Sequence, residues 1–90
     1  MSTVRIPPTL RAQTGGAKLV EVPSGTVREV LAGLVADHPG LEAQLLAQDG
    51  SLNRFVNAFL NDVDIRHLQA LDTQVAETDT LVLLPAMAGG

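Results

Sequence analysis

The chain has 90 residues, of which 46% are hydrophobic and 18% are charged. This composition predicts one folded domain, because a disordered chain carries too few apolar side chains to form a core. The formal net charge of −4 and the presence of only two aromatic residues argue against a nucleic-acid partner, which needs clustered cations and stacking surfaces.

Two further exclusions concern membranes and thiols. No apolar run approaches the roughly 18 to 20 residues that cross a bilayer, and the first residues lead into two prolines rather than into a signal-peptide core. We therefore expect a cytoplasmic protein with no membrane partner. Because the chain has no cysteine, any sulfur chemistry must use sulfur that comes from outside the protein.

The first part of the chain predicts a β-hairpin. Residues 3–6 alternate polar with apolar side chains and stop at two prolines, which cannot continue a strand ladder. Residues 9–17 are predicted to be a loop around a Thr-Gly-Gly turn, which lacks the Gly-Lys-Ser/Thr ending of a phosphate-binding loop. Residues 18–22 alternate again and place Val20 and Val22 on one face, as expected for the second strand.

The middle of the chain predicts one main helix. Thr26 and Glu29 have the spacing of a capping box, so the helix is expected to begin there. Its apolar residues recur at helical spacing and predict a stripe that lies on a sheet: Val27, Val30, Leu31, Leu34 and Val35. Residues 38–40 are expected to end this helix. A shorter helical segment with Leu41, Leu45 and Leu46 should follow, closed by a turn at residues 49–51.

From Arg54 onward the apolar period returns to two. The predicted core face of this strand carries Val56, Ala58 and Leu60, and the other face carries Phe55, Asn57, Phe59 and Asn61. We expect a turn at residues 61–62 and a brief strand at residues 63–66. Since the pattern combines several strands with one main helix, it predicts an α+β fold in which the helix packs across one face of a sheet.

The last strand is predicted at residues 80–84, with Leu81 and Leu83 facing the core. Phe59, Val82 and Leu84 should then be exposed together, and such an apolar patch is typical of a partner-binding surface. The alternative is that a loop or the protein's own tail covers the patch. Pro85 cannot donate to a ladder, so we predict a folded domain at residues 1–85 and a flexible tail at residues 86–90.

No catalytic or metal-binding constellation is apparent elsewhere in the sequence. Residues 61–64 lack the glycine and glutamate of an EF-hand calcium loop, and His38 and His67 have no ligand spacing. His38 is better explained as the last residue of its helix, where a cation suits the helix dipole. No serine occupies a nucleophile motif. The remaining candidate for chemistry is the C-terminal carboxylate after Gly89 and Gly90, whose lack of a side chain would let the chain enter a narrow channel.

Three stretches together carry a resemblance that covers essentially the whole chain. The chain resembles the ubiquitin-like sulfur-carrier proteins of the MoaD/ThiS superfamily in residues 54–57, 61–66 and 84–90. Within that superfamily it looks closest to the actinobacterial carrier of cysteine biosynthesis, on the basis of Ile6-Pro7, Leu10-Arg11 and Thr14-Gly15-Gly16.

The resemblance implies a β-grasp fold, with a mixed five-stranded sheet on one main helix and the first and last strands as central neighbours. It also implies that the Gly90 carboxylate is adenylated, with ATP and Mg²⁺, by an adenylyltransferase like those that activate ubiquitin. The product would become a thiocarboxylate, with Gly89 and Ala88 as tail residues. The carrier would bind no cofactor, would hold no metal and would not itself be an enzyme.

The implied downstream partners are a pyridoxal-phosphate cysteine synthase, which would receive the sulfur, and a Mov34-type metalloprotease, which would release cysteine and restore the Gly-Gly end. Two alternatives within the superfamily stay open: a small subunit of molybdopterin synthase and a thiamine-pathway carrier. A third alternative, from another class, is a ubiquitin-like protein modifier or adaptor.

Overall fold

Residues 1–86 are described by the computed structural model, and this part of the chain contains seven strands and two α-helices. The strands are β1 (Ser2–Arg5), β2 (Leu19–Val22), β3 (Gly25–Thr26), β4 (Val56–Leu60), β5 (Val63–Asp64), β6 (Gln74–Val75) and β7 (Thr80–Pro85). The helices are α1 (Val27–Asp37) and α2 (Glu42–Leu45), and four 3-10 segments lie at Pro8–Thr14, Pro39–Leu41, Ile65–His67 and Ala70–Asp72.

Five strands form the main sheet in the order β2-β1-β7-β4-β5. β1 and β7 run parallel as central neighbours, with Val4 opposite Leu81, whereas the other three pairs are antiparallel. The predicted mixed five-stranded β-grasp sheet is therefore confirmed. A second, two-stranded sheet joins β3 to β6, and the sequence did not predict it.

The core lies between the inner face of this sheet and α1. Alternate strand residues point to one face, and those on the inner face, including Val4, Ala58, Leu81 and Leu83, are almost completely buried. The helix contributes Val27, Val30, Leu31 and Leu34 to the same core, while Val35 packs partly buried against it. The two periodicities of the sequence thus identified the two surfaces that meet in the core.

The capping box at the start of α1 is confirmed. The Thr26 hydroxyl accepts a hydrogen bond from the Glu29 amide at 3.1 Å, and the Glu29 carboxylate accepts one from the Thr26 amide at 2.9 Å. Two amides that the helix itself cannot satisfy are therefore paired. At the other end, His38 follows the last turn and donates its amide to the Leu34 carbonyl, so its predicted helix-terminal place is correct.

Two predictions of local structure were wrong in extent. Pro8–Thr14 is a 3-10 helix rather than a loop; it begins with Pro8, whose missing amide proton costs nothing at a helix start, and ends at Gly15 with a φ of 65°. The strand predicted at residues 63–66 stops at Asp64, because the Asp64 carboxylate accepts the Arg66 amide at 2.9 Å and turns the chain into a 3-10 segment.

The turn between β4 and β5 confirms the hairpin interpretation. Asn61 and Asp62 have φ angles of 47° and 78°, which is the two-residue turn that connects twisted antiparallel strands. Within residues 1–86 no three metal-ligating side chains lie together. In the same part of the chain, none of the helices combines the length and the hydropathy that crossing a membrane would require.

Candidate partner-binding site at the C-terminal strand

β7 directs the end of the chain out of the centre of the sheet. It lies between β1 and β4, and its inner residues Leu81 and Leu83 are completely buried. The start of β7 is fixed by two hydrogen bonds with the side chain of Asn61, in the turn that follows β4. The Asn61 side-chain NH2 donates to the Asp79 carboxylate at 2.8 Å, and the Asn61 side-chain oxygen accepts the Thr80 amide at 3.0 Å. The point at which the C-terminal tail leaves the fold is therefore set by the core and by this pair of bonds.

Pro85 does not end the strand where the sequence predicted. β7 includes Pro85, and the next residue, Ala86, still donates its amide to the Phe55 carbonyl at 2.8 Å. In an antiparallel ladder only alternate residues bond to a given partner strand. Thr80 and Ala86 bond to Asn61 and Phe55, the two residues that flank β4. The amide position of Pro85 therefore points away from β4, and it lies beyond Val82, the last residue of β7 that pairs with β1. No ladder bond is lost there.

The three residues predicted to form a partner-binding patch lie together on the outer face of the sheet. Phe59 is directly opposite Val82 across β4 and β7, and Leu84 follows two residues later on the same face. Leu84 has 43% of its surface exposed, but Phe59 and Val82 are partly buried. The patch is therefore less exposed than the sequence predicted, and its role in binding a partner stays a prediction.

Phe55 is a more exposed apolar residue that the sequence placed on the same face without singling it out. It has 54% of its surface exposed, and the Arg54 guanidinium lies 4.9 Å from the centre of its ring. The Phe55 carbonyl accepts a backbone hydrogen bond from Ala86, the residue that follows β7. A sequence signal was available, because Phe55 is one of only two aromatic residues, but its position beside the tail exit depends on the β4–β7 register.

The perturbed carboxyl groups of the described residues belong to structural hydrogen bonds. The Arg66 side chain lowers the pKa of Asp64 to about 2 by its hydrogen bonds, one of them 2.7 Å long, and the Arg66 amide adds to this shift. The Ala76 amide, followed by the Asn61 side chain, lowers the pKa of Asp79. Both pKa values are lowered because hydrogen bonds stabilise the charged form of the carboxylate. These carboxylates hold turns in place, because each also accepts a backbone amide close to it in sequence: Asp64 accepts the Arg66 amide, and Asp79 accepts the Ala76 amide.

The predicted sulfur-carrying residue, Gly90, and the tail residues Gly89 and Ala88 lie outside the described residues. The structure therefore bears on their site only through the strand that leads to it. The described chain stops one residue after Pro85, with four residues still to follow.

Comparison with known proteins agrees with this architecture. The model of the ThiS family matches residues 4–90. The chain is 41% identical over 90 residues to the sulfur carrier protein CysO of Mycobacterium tuberculosis, covering 98% of this chain and 97% of the relative. It is also 33% identical over 82 residues to small archaeal modifier protein 1 of Haloferax volcanii, covering 88% of this chain and 90% of that protein.

A solved structure of a related protein has the same fold. The crystal structure of the Amycolatopsis orientalis BexX/CysO complex contains a chain with a TM-score of 0.90 and 42% sequence identity, and the match covers all of both chains. A family match over almost the full length, together with the observed mixed sheet and its central β1 and β7, leads to one assignment. The chain belongs to the ThiS family of ubiquitin-like sulfur-carrier proteins, with a β-grasp fold.

Proposed function

We propose that the protein is a sulfur carrier whose Gly90 carboxylate is adenylated and then converted to a thiocarboxylate, which donates its sulfur in cysteine biosynthesis. One observation carries the proposal. The family match extends through residue 90, so it includes the Gly-Gly end as well as the fold. The 41% identity to a protein named a sulfur carrier supports the same role. The proposed location is the cytoplasm, because the first step consumes ATP.

The chemistry explains why activation must come first. A C-terminal carboxylate has a pKa of about 3.3 to 3.7, so it is ionised at neutral pH and is a poor electrophile. Its oxygen would attack the α-phosphorus of Mg²⁺-bound ATP in the adenylyltransferase, and pyrophosphate would leave. A sulfide equivalent would then displace AMP from the acyl adenylate and leave a thiocarboxylate on Gly90.

The sulfur acceptor in this proposal is an aminoacrylate bound to pyridoxal phosphate in a cysteine synthase. The thiocarboxylate sulfur would form a bond to the β-carbon of the aminoacrylate. A Mov34-type metalloprotease would later release cysteine and restore the Gly90 carboxylate. Holding the tail inside an enclosed site raises the effective concentration of the nucleophile and excludes water. The related CysO of Amycolatopsis orientalis has been crystallised in complex with BexX, and this supports the general scheme.

A second candidate function is favoured by a specific observation. The similarity to an archaeal modifier protein favours a function in which this chain is joined to other proteins through Gly90. Both functions begin with the same adenylate and differ in the nucleophile that attacks it, sulfide in the carrier and a lysine amine in the modifier. Lys18 is the chain's single lysine and is exposed, so chains of the protein on itself would have one attachment point.

The test is reconstitution with the adenylyltransferase from the same cell. Full-length protein should support exchange between ATP and pyrophosphate, and a variant lacking Gly90 should not. With a sulfur source, the full-length product should gain the mass of one sulfur in exchange for one oxygen. Absence of both the exchange and the mass change with the full-length protein would overturn the proposal, and an isopeptide-linked lysine would favour the modifier function.

The receiving enzyme decides the pathway. The thiocarboxylate form should be offered separately to a pyridoxal-phosphate cysteine synthase, to the large subunit of molybdopterin synthase and to a thiazole synthase. Transfer of sulfur to the aminoacrylate supports the cysteine pathway. Transfer to the pterin or to the thiazole precursor would replace it with one of the two other pathways, while the carrier role would stand.

A further inference from the structure

An apolar groove opens beside the point where the tail leaves the fold. It has a volume of about 340 Å³, and its apolar walls come from three separate parts of the chain: Pro7 and Leu10, Ala43 in α2, and Phe55 with Pro85 at the ends of β4 and β7. The lining carries no charged side chain. Because Pro85 is both a wall of the groove and the next-to-last described residue, the groove and the tail exit form one surface.

Phe55 is held rigidly at the edge of this groove. The Phe55 backbone amide donates a hydrogen bond to the Asn53 side chain at 2.9 Å. The backbone amide of Asn53 in turn donates a hydrogen bond to the Leu45 carbonyl at 2.7 Å. The Phe55 carbonyl accepts the Ala86 amide. An exposed aromatic side chain on a fixed backbone loses little conformational entropy when a partner covers it, and such residues dominate the binding energy of protein interfaces.

The length of the remaining chain limits how far a partner can stand from this surface. Four residues follow Ala86, and a fully extended chain spans at most about 3.3 to 3.6 Å per residue, or about 14 Å here. A partner whose reactive centre reaches the Gly90 carboxylate must therefore bring the rim of its tail channel close to Ala86. Phe55 and the groove lie beside Pro85 and Ala86 and offer such a rim an apolar surface.

Arg54 does not line the groove, but it places a charge next to it through its contact with the Phe55 ring. It is exposed, it stacks on the Phe55 ring, and it takes part in none of the ion pairs within residues 1–86. Arg28 and Arg66, by contrast, pair with Asp72 and Asp64. In a chain with a net charge of −4, an unpaired cation beside an uncharged groove is complementary to an acidic group on the partner.

We propose that the groove, Phe55 and Arg54 dock the rim of the tail channel of the adenylating enzyme, which places an apolar side chain between Leu10 and Phe55 and a carboxylate opposite Arg54. This surface is separate from the outer-face patch of Phe59, Val82 and Leu84, whose own role in binding stays a prediction. The inference rests on the proposed function, because it assumes a partner that takes the tail.

The experiment measures the dissociation constant between the full-length protein and the adenylyltransferase of the same cell, together with conversion of Gly90 to the thiocarboxylate. Phe55→Ala should weaken binding about tenfold or more. Leu68→Ala is the matched control, since Leu68 is 44% exposed and does not line the groove; it should change binding less than about twofold. Arg54→Glu should weaken binding several-fold, whereas Arg54→Lys should retain most of the affinity.

The outcomes separate this inference from the function on which it rests. If wild-type protein is converted to the thiocarboxylate while Phe55→Ala and Arg54→Glu bind as wild type does, the docking surface is wrong and the carrier function stands. If wild-type protein neither binds nor is converted, both are overturned. Should Phe55→Ala lower the melting temperature markedly, the Arg54→Glu and Arg54→Lys pair decides, because Arg54 is exposed and contributes no ion pair within the described fold.

Discussion

The two faces of β7 differ sharply although they alternate residue by residue along one strand. Leu81 and Leu83 are completely buried in the core, whereas Leu84 is exposed and Val82 is partly exposed. All four side chains are apolar, so the alternation of polar and apolar residues that marks an ordinary surface strand is missing. The inner face needs its apolar residues for the fold, and the outer face does not.

An apolar outer face that the fold does not require points to another use. Next to it lies the tail exit, where Phe55 and Pro85 line one groove and Arg54 lies over the Phe55 ring. The inner face of β7 thus stabilises the protein, whereas the outer face and the tail exit are available to partners. Substitutions in the first region should lower stability, and substitutions in the second should lower binding, so the two can be distinguished by measuring both quantities.

The largest effect is expected from Leu83→Ala, with its neighbour Leu84→Ala as the matched variant. Leu83 is completely buried, so its truncation should cost about 2 to 5 kcal/mol of unfolding free energy. The same truncation at Leu84 should cost less than about 1 kcal/mol. Urea unfolding followed by circular dichroism gives both values. Equal losses at the two positions would contradict the division between the faces.

A smaller loss is expected when the helix covering the inner face loses its cap. Thr26→Ala removes the hydroxyl that accepts the Glu29 amide and should lower the unfolding free energy by about 1 kcal/mol. Thr26→Ser, which keeps the hydroxyl, is the control and should change the unfolding free energy by no more than a few tenths of a kcal/mol. A Thr26→Ala protein as stable as wild type would show that the capping box contributes nothing to the inner-face packing.

Asp64→Asn tests whether the ion pair with Arg66 stabilises the edge strand β5, through the pH dependence of the unfolding free energy. The folded-state pKa of Asp64 is lowered to about 2, so its contribution to stability is present above the unfolded pKa of about 3.8 and is lost as the pH falls toward 2. We expect Asp64→Asn to cost about 1 kcal/mol at neutral pH, because Arg66 is largely exposed and screened. The difference from wild type should shrink between about pH 4 and pH 2. A difference that stays constant with pH would exclude the ion pair as its cause.

The smallest effect is expected from Pro85→Ala, at the point where the two regions meet. Because Pro85 sits at a position that bonds to neither neighbouring strand, adding an amide proton should gain no ladder bond. The variant should lose about 0.4 to 1 kcal/mol through the greater freedom of its unfolded chain. Thermal unfolding measures this change, and a gain in stability would show that the proline had interrupted the ladder.

The sequence predicted the parts of the fold that depend on neighbouring residues. The strands were located by alternation and α1 by its apolar stripe and capping box, because these signals lie within a few residues of one another. The β3–β6 pair was missed, since the register that sets Gly25 against Val75 is fixed by contacts distant in sequence. The end of β5 was misplaced because the Asp64 side chain competed for the backbone.

The candidate site was predictable only in part. Residue order placed Phe59, Val82 and Leu84 on one face, but their exposure depends on how closely neighbouring strands pack. The groove at the tail exit has no local signature, because Leu10, Ala43 and Pro85 come together from the beginning, middle and end of the chain. Pro85 shows most clearly why the sequence alone misplaced the end of β7: a proline ends a ladder only if a neighbouring strand needs its missing amide.

The central claim is that the tail carries sulfur, and the mass of the intact protein from its native cell tests it most directly. We expect a fraction of molecules in which one oxygen of the C-terminal carboxylate is replaced by sulfur, and fragmentation of the last peptide should locate that sulfur on Gly90. The fraction should disappear when the adenylyltransferase is deleted. A protein that carries no sulfur at Gly90 while the sulfur pathways of the cell are active would contradict the account.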